Sequence, residues 1–184
     1  MSGGLRITAG RWRSRAVRCP DDFVRPTTSW AREVLFAWLG NCSDSVVLDC
    51  TAGSGILGFE ALSRGAAEVV FWDIEPKVLT MLRENTKTLQ AQAAAACVDI
   101  REVGKAALEE ASVDILFYDP PYAAPWAEES LSRIVSYGWL KATGWLFFES
   151  HQKGPETIGA WSLYRHKKRG SVCLNLYRQH NSKA

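Results

Sequence analysis

An acidic residue, two prolines and an aromatic residue follow one another at Asp119-Pro120-Pro121-Tyr122. Each proline fixes its own φ angle, and Pro121 biases the residue before it toward extended backbone, so the segment is stiff. The Asp119 carboxylate and the Pro120 carbonyl are two fixed acceptors that could hold the NH₂ group of a base and aim its lone pair at a methyl group. Tyr122 could stack on the extruded base. The motif predicts methylation of an amine, with a rigid turn at a strand end as the competing interpretation.

A second candidate site is the glycine-rich run Asp49-Cys50-Thr51-Ala52-Gly53-Ser54-Gly55-Ile56-Leu57-Gly58. Its Gly-x-Gly-x-x-Gly spacing lies between a predicted strand and a predicted helix, where the backbone can approach a ligand closely and the helix N-terminus favours negative charge. Asp73 stands 20 positions after Gly53, at the end of the next predicted strand, where a carboxylate can accept hydrogen bonds from ribose hydroxyls; Glu75 is the alternative. A tight strand-to-helix turn would explain the glycines without a ligand.

Together the glycine run and the acid predict an adenosine-bearing cofactor. From these residues alone, a dinucleotide fits as well as S-adenosylmethionine. We expect the cofactor to contact Asp49, Thr51, Ala52, Gly53, Ser54, Gly55, Asp73 and Ile74. The three histidines have no spacing typical of metal ligands, so no metal is expected.

Short apolar runs predict the strands that position these motifs, at 46–48, 69–72, 113–118 and 145–148. The runs are nearly continuous, as parallel strands buried on both faces are. Helices are predicted between them at 56–64, 76–90 and 126–137. A weaker strand at 99–103 and a short helix at 105–110 complete the alternation, and the alanine-rich run at 91–96 is assigned to the frayed end of the preceding helix. The pattern predicts a doubly wound α/β sheet.

The two ends of the chain add further elements. Segments 5–8 and 15–19 predict a small β-hairpin, and Thr27-Thr28 offers N-caps for a helix through about residue 39, with Arg32 outside its apolar stripe. Two final segments predict an antiparallel hairpin at the sheet edge, at 161–167 and 172–178. We expect a basic hairpin appendage over residues 1–24 and the main domain over residues 25–184.

Charge is segregated along the chain, although the net charge is only +2. Residues 1–32 hold seven arginines and two acids, and residues 161–184 hold six lysines and arginines and no acid. Arginine pairs with phosphate and aromatic rings stack on bases, so interleaved Trp12, Trp30, Tyr164 and Tyr177 favour a nucleic-acid surface over a solvated edge strand. The five cysteines are scattered, and no apolar run approaches the roughly 18 residues of a membrane span, so we expect a cytoplasmic protein without disulfides.

Arg25-Pro26-Thr27-Thr28, followed by Arg32-Glu33 and then by the two motifs above, closely resembles the bacterial 16S rRNA guanine-N2 methyltransferase family. The family is named for guanine 966 of the small-subunit RNA. The resemblance extends from Arg6 to Tyr177-Arg178. It implies a Rossmann-like class I methyltransferase fold with a mostly parallel seven-stranded sheet, S-adenosylmethionine as cofactor, and methylation of guanine N2 during small-subunit assembly.

By this resemblance, Asp49, Gly53, Gly55 and Asp73 would contact the cofactor, and Asp119, Pro120 and Tyr122 the target base. We expect RNA contacts from Arg6, Arg11, Trp12, Arg13, Arg25, Thr27, Thr28 and Arg32. The chain departs from such methyltransferases at Val103-Gly104, where an Asp or Asn after the third strand usually binds the adenine amine. It departs again at Ser29-Trp30, where the family tends to show Asp-Arg.

Three other functions are compatible with parts of the pattern. The acid-Pro-Pro-aromatic motif also suits an adenine-N6 or other amine methyltransferase that acts on DNA or protein. An NAD-binding oxidoreductase would use the glycine loop, but it is disfavoured because Asp49 precedes that loop. A catalytically silent RNA-binding assembly factor would bind RNA with steep salt dependence and show no turnover.

Overall fold

A central eight-stranded sheet organises the computed structural model, which describes residues 4–19, 27–121 and 124–179. In chain order the elements are β1 (Leu5–Arg6), β2 (Ala16–Val17), α1 (Ser29–Leu39), β3 (Val46–Asp49), α2 (Ile56–Ser63), β4 (Glu68–Asp73), α3 (Pro76–Leu89), β5 (Ala93–Cys97), a short 3-10 helix (Lys105–Ala107), β6 (Val113–Tyr118), α4 (Ala127–Ser136), β7 (Leu140–Ser150), β8 (Thr157–Ile158), β9 (Trp161–Arg169) and β10 (Val172–Gln179).

The sheet order is β5-β4-β3-β6-β7-β10-β9-β8, and the first five strands are parallel. The last three join the sheet in antiparallel pairs. The chain runs outward from β3 to β5 and then returns to the other side of β3 as β6, so the connection reverses direction between β3 and β6. Ligands of open α/β sheets bind beyond the carboxyl ends of strands at such a reversal.

This architecture confirms the predicted fold class, including the antiparallel C-terminal edge and the N-terminal hairpin of β1 and β2. The main sheet has eight strands rather than seven because the two-residue β8 pairs with the start of β9. The predicted helix at 105–110 was wrong in kind and length, since the structure forms a three-residue 3-10 helix there.

The predicted third strand at 99–103 was also wrong. The strand is β5, at Ala93–Cys97, which overlaps the alanine-rich run that was assigned to the end of a helix. Gln90 adopts a left-handed conformation that ends α3, and the following residues then pair in parallel with β4, from Val69↔Ala93 to Asp73↔Cys97. As an edge strand β5 buries little surface, so small side chains suffice and no strong apolar pattern marks it.

Two apolar clusters cover the two faces of the sheet. Alternate residues of a strand point to opposite faces, so Val47 in one cluster and Leu48 in the other define the two sides. The first cluster contains the buried faces of α1, α2 and α3, and the second contains that of α4. Residues Ile7, Trp12 and Val17 belong to the first cluster, so the N-terminal hairpin shares the core of the main sheet.

Candidate active site at the carboxyl ends of the strands

A cleft of about 630 Å³ opens at the carboxyl ends of β3, β4 and β6. It is lined by the residues that end or follow each of these strands, by the segment after β5, and by residues at or near the ends of α1, α3, α4, β7 and β10. These residues are Thr28, Cys50, Thr51, Gly53, Asp73, Ile74, Glu75, Val78, Val98, Asp99, Ile100, Arg101, Asp119, Pro120, Pro121, Trp126, Glu149 and Val172. Both sequence motifs therefore meet in one cavity.

Four of the eight residues predicted to contact a cofactor line this cleft, namely Thr51, Gly53, Asp73 and Ile74. Ala52, Ser54 and Gly55 are buried behind the loop surface, as is Asp49. Ile74 is unusual among large apolar residues in being 47% exposed, and it lies at the cleft. An exposed apolar side chain beside a carboxylate is the pairing that a nucleoside would use.

Two glycines of the loop are required by packing within the protein. A Cβ on Gly55 would lie 2.4 Å from Leu82 Cδ2, and the φ angle of Gly55 is +72°. A Cβ on Gly58 would lie 2.3 Å from Phe71 Cε1. The tight-turn interpretation therefore accounts for both positions, because helix α2 can approach β4 and α3 only without side chains there. Gly53 is the glycine of the motif that lines the cleft.

Asp73 joins the glycine loop to the end of β4. Its Oδ2 accepts a hydrogen bond of 2.9 Å from the Gly53 backbone N–H, and its Oδ1 accepts one of 2.9 Å from the Glu75 N–H. Each carboxylate oxygen has a second lone pair, so the group retains acceptor capacity toward the cleft. The loop is thereby held next to the acid that was predicted to bind ribose.

Asp49 lies beneath the loop, with its Oδ2 buried and without a hydrogen-bond partner in the described part of the chain. Burial raises the pKa of Asp49 to about 8, and the neighbouring charges of Asp119 and Asp73 add to this, whereas a hydrogen bond from the Gly58 backbone opposes it. Three carboxylates thus share a small region, and Asp49, the most deeply placed of them, is the one whose pKa burial raises to about 8.

Asp119 is anchored from two directions. Its backbone N–H donates a 2.9 Å hydrogen bond to Thr51 Oγ1, which ties it to the glycine loop, and its Oδ2 accepts a 2.9 Å hydrogen bond from the Thr27 hydroxyl. Burial raises the pKa of Asp119 to about 6, while the Thr27 hydrogen bond lowers it. The carboxylate is therefore mostly ionised at neutral pH and is fixed as an acceptor at the cleft.

Thr27 and Arg32 were predicted to contact RNA, and the structure places both inside the protein. Arg32 is 3% exposed; its Nη1 donates to the Thr27 carbonyl at 2.8 Å and its Nε lies 3.2 Å from Oε1 of Glu60, which is fully buried. A guanidinium held this way is not available to phosphate, so the predicted RNA role of Arg32 was wrong. A continuous chain, Glu60–Arg32–Thr27–Asp119, instead connects the core to the cleft.

The N-terminal hairpin presents some of its predicted RNA contacts and buries another. Arg6, Arg11 and Arg13 are exposed. Trp12 is only 7% exposed and belongs to the core, so it does not offer a free ring for a base, although the Arg11 guanidinium lies 4.2 Å from its centroid. Thr28 caps α1 by accepting a hydrogen bond from the Ala31 N–H and also lines the cleft. The predicted residues Arg25 and Tyr122 lie outside the described residues.

Sequence reasoning missed Asp99. Because β5 ends at Cys97 and not at residue 103, the residues that follow the third strand are Val98 and Asp99, and both line the cleft. The stated departure at Val103-Gly104 was therefore wrong: an acid does follow this strand. The Asp99 carboxylate is bound by Arg101 Nε at 2.8 Å, and this hydrogen bond lowers its pKa. Counting from the correct strand end would have identified it.

Within residues 4–19, 27–121 and 124–179, no helix has the length and apolar character to cross a membrane. The same residues contain no group of three or more His, Cys, Asp or Glu side chains arranged to hold a metal ion.

Comparison with known proteins gives consistent matches over nearly the whole chain. The family model described as conserved hypothetical protein 95 matches residues 5–178. Ribosomal RNA small subunit methyltransferase D of Escherichia coli (strain K12) is 38% identical over 97% of this chain and 91% of its own length. The protein of the same name from Haemophilus influenzae is 35% identical over 95% and 94%.

Solved structures agree with these matches. The Escherichia coli protein yhhF superimposes with a TM-score of 0.86 at 37% identity, covering 97% of this chain and 99% of that one. A SAM-dependent methyltransferase from Aquifex aeolicus has a TM-score of 0.61 at 15% identity, covering 80% and 87%, which shows a shared fold. The chain therefore belongs to the family of conserved hypothetical protein 95, the small-subunit ribosomal RNA methyltransferase D family.

Proposed function

We propose that this chain transfers a methyl group from S-adenosylmethionine to the exocyclic N2 amine of a guanine in 16S ribosomal RNA, guanine 966 by family resemblance. The observation that carries the proposal is that Asp119-Pro120 and Asp73 line one cleft at the point where the sheet reverses its connection. Relatives named for small-subunit ribosomal RNA support the choice of substrate. The substrate would be met in the cytoplasm, on a small ribosomal subunit or an assembly particle.

The residues at one end of the cleft fit S-adenosylmethionine. A volume of about 630 Å³ is typical of small-molecule sites. Asp73 would accept hydrogen bonds from the ribose hydroxyls, and Ile74 would cover one face of the adenine ring. Asp99 would accept a hydrogen bond from the adenine amine, because it follows the third strand, where such methyltransferases carry an acid. When bound, the cofactor supplies an electrophilic methyl group on a positively charged sulfur.

At the other end, Asp119 and Pro120 would hold the guanine NH₂ group. The Asp119 carboxylate accepts one N–H and the Pro120 carbonyl the other, which orients the nitrogen lone pair. The amine loses a proton when it gains the methyl group, and a carboxylate with a pKa of about 6 is a better acceptor for it than an ordinary aspartate. Thr27 and Thr51 keep Asp119 in place during this exchange.

The direct test uses a labelled methyl donor and small-subunit RNA or particles from a strain that lacks the gene. Asp119→Asn keeps the shape of the side chain but removes its charge and one acceptor, so we expect methyl transfer to fall at least about 100-fold. Cofactor affinity should stay within about twofold, since Asp119 lies at the base end. Glu129→Gln, an exposed acid on α4, is the matched control and should retain activity. Full activity of the Asp119→Asn enzyme would refute the base-holding role.

Product analysis decides which amine is methylated. RNA from the deletion strain is examined by mass mapping with and without the restored gene. One guanine should carry a methyl group only when the gene is restored, and nucleoside analysis should give N2-methylguanosine. N6-methyladenosine, or methylation of DNA or protein, would instead support the other amine methyltransferases. Comparison of naked RNA with particles as substrates then identifies the form that the enzyme uses.

A further inference from the structure

The C-terminal hairpin of β9 and β10 carries a row of cations on one face. Opposite residues of an antiparallel pair share a face. Arg165, Lys167 and Arg169 lie opposite Leu176, Leu174 and Val172, all three of which belong to the cluster on the α1 side of the sheet. Successive cations of the row are two residues apart, or about 7 Å along the strand.

Aromatic rings are interleaved with these cations. The Arg169 guanidinium lies 5.4 Å from the centroid of the half-buried Trp30 ring, and Lys167 Nζ lies 6.0 Å from it. Tyr164, at the bulge of β9 and 37% exposed, has the Arg178 guanidinium 4.1 Å from its ring. We call this surface the basic platform; it consists of Trp30, Tyr164, Arg165, Lys167, Arg169 and Arg178.

The platform cations keep their charge available. No aspartate or glutamate occurs from residue 157 to residue 184. Among the described residues, none of the ion pairs involves a cation of the platform. A guanidinium stacked on a ring directs its N–H donors outward in the plane of the group, which is the geometry that binds phosphate oxygens in pairs.

The platform begins at the rim of the cleft. Val172 lines the cleft and is the register partner of Arg169, the first cation of the row. Thr28 also lines the cleft and precedes Trp30 by two residues in the first turn of α1. A polymer with one unit inside the cleft would therefore pass directly onto Trp30 and Arg169.

We propose that the basic platform binds the RNA strand adjacent to the nucleotide that enters the cleft, with phosphates on Arg165, Lys167 and Arg169 and a base stacked on Trp30. Rows of cations with interleaved aromatic rings are typical of surfaces that follow a single strand of nucleic acid. An acidic polypeptide would satisfy the cations but would leave the rings without stacking partners. The inference rests on the proposed function in taking RNA as the substrate.

Neighbouring lysines on opposite faces of β9 provide a matched test. Lys167 lies on the platform, whereas Lys168 is opposite Cys173 and therefore points to the other face; both are exposed. Binding of a labelled stem-loop from small-subunit RNA is measured by fluorescence anisotropy over a range of KCl concentrations. Lys167→Ala should weaken binding several-fold and reduce the salt slope by about 0.7, the contribution of one phosphate contact to a single strand. Lys168→Ala should match the unmodified protein.

Two tryptophans of α1 test the stacking contact in the same way. Trp30 and Trp38 are both half-buried and pack on the same apolar cluster, but only Trp30 touches platform cations. Trp30→Ala should weaken RNA binding about tenfold, since loss of one stacked base commonly has this effect. Trp38→Ala should not change it, although both substitutions disturb packing.

Several results would overturn the platform. Equal effects of Lys167→Ala and Lys168→Ala would mean that only total charge matters, and unchanged binding in the Trp30→Ala protein would remove the stacking contact. If Lys167→Ala and Trp30→Ala weaken the binding of polyglutamate as strongly as they weaken the binding of RNA, the surface is a site for acidic polypeptides. Methyl transfer and cofactor affinity are measured on the same proteins. If RNA binding depends on Lys167 but the protein does not methylate guanine, the proposed function alone is refuted. If the protein methylates guanine but Lys167→Ala leaves RNA binding unaltered, the platform alone is refuted.

Discussion

The N-terminal and C-terminal hairpins carry similar positive charge, but they use it differently. In the N-terminal part, several arginines bond to the protein itself: Arg15 Nη2 donates to the Thr88 carbonyl at 2.9 Å, Arg18 pairs with Glu84 at 3.0 Å, and Arg32 is buried against Glu60. The cations of the basic platform have aromatic neighbours and, in the ranges 4–19, 27–121 and 124–179, no ion pair. Charge counted along a sequence does not separate these two uses.

Glu60 explains why Arg32, in the N-terminal part of the chain, points into the protein and not into solvent. Its Oε1 accepts a 2.7 Å hydrogen bond from the Thr8 N–H and lies 3.2 Å from Arg32, and its Oε2 accepts a 3.0 Å bond from the Thr8 hydroxyl and lies 3.4 Å from Arg64. A carboxylate with no solvent exposure needs such partners, because an uncompensated buried charge is strongly unfavourable. The arginines around it stabilise the attachment of the hairpin, α1 and α2.

The largest effect is expected when the buried pair of Arg32 and Glu60 is broken. Arg32→Met keeps much of the side-chain volume but leaves Glu60 with one partner fewer. We expect the free energy of unfolding, measured by urea titration with circular dichroism, to fall by about 3 kcal/mol. The double variant Arg32→Met/Glu60→Leu removes both charges and should recover part of that loss, since paired replacement of buried charges by apolar groups is often tolerated.

An exposed arginine in the N-terminal part of the chain provides the contrast. Arg18 and Glu84 lie 3.0 Å apart, with side chains 75% and 54% exposed. Arg18→Met should change the free energy of unfolding by less than about 0.5 kcal/mol, because solvent screens such pairs. A loss as large as that of Arg32→Met would contradict the distinction between internal and exposed arginines.

Predictions from sequence succeeded where one segment determines its own structure. The buried apolar runs of β3, β4 and β6, the cap of α1 at Thr28, and the acids at the ends of β4 and β6 are local patterns, and the structure has them close to the expected places. The run of four alanines in β5 failed because alanine favours helix, whereas the partner strand β4 holds this edge in extended form. That single error displaced the end of the third strand and hid Asp99.

The long-range contacts of the site had no local signal. Thr27 and Asp119 are 92 residues apart in sequence, and nothing near Thr27 indicates that its hydroxyl contacts a strand end. Arg32 stood outside the apolar stripe of its helix and so resembled a surface residue, because Glu60, its buried partner, lies on another helix. Partners of this kind become visible only when the elements are assembled.

A smaller effect tests whether Thr27, in the N-terminal part of the chain, controls the ionisation of Asp119 at the cleft. Thr27→Val keeps the shape of the side chain and removes the donor to Asp119 Oδ2. That hydrogen bond lowers the pKa of Asp119, which burial raises to about 6. In the unaltered enzyme methyl transfer should therefore decline as pH falls through about 6, and in the variant the decline should begin at higher pH. We also expect kcat to fall about tenfold at neutral pH.

The pH profile separates positioning from simple loss of stability. Thr27→Ser retains the hydroxyl, so it should restore the acidic limb of the profile even if its packing is poorer. Cofactor affinity and RNA affinity should not change in either variant. An unshifted acidic limb in the Thr27→Val enzyme would show that Thr27 does not influence the ionisation of Asp119.

The smallest expected effect concerns the exposed arginines of the N-terminal hairpin, whose contact with RNA remains a prediction. Arg13 is exposed, and Arg11 lies over the buried Trp12 ring, so each can reach one phosphate without a free ring beside it for a base. Arg11→Ala and Arg13→Ala should each weaken RNA binding about two- to threefold and lower the salt slope by less than about one. The basic platform adds stacking to charge, so Trp30→Ala should cause a larger loss than either. If Arg11→Ala or Arg13→Ala weakens RNA binding more than Trp30→Ala does, in anisotropy measurements at equal salt, the N-terminal hairpin and not the basic platform is the main RNA surface.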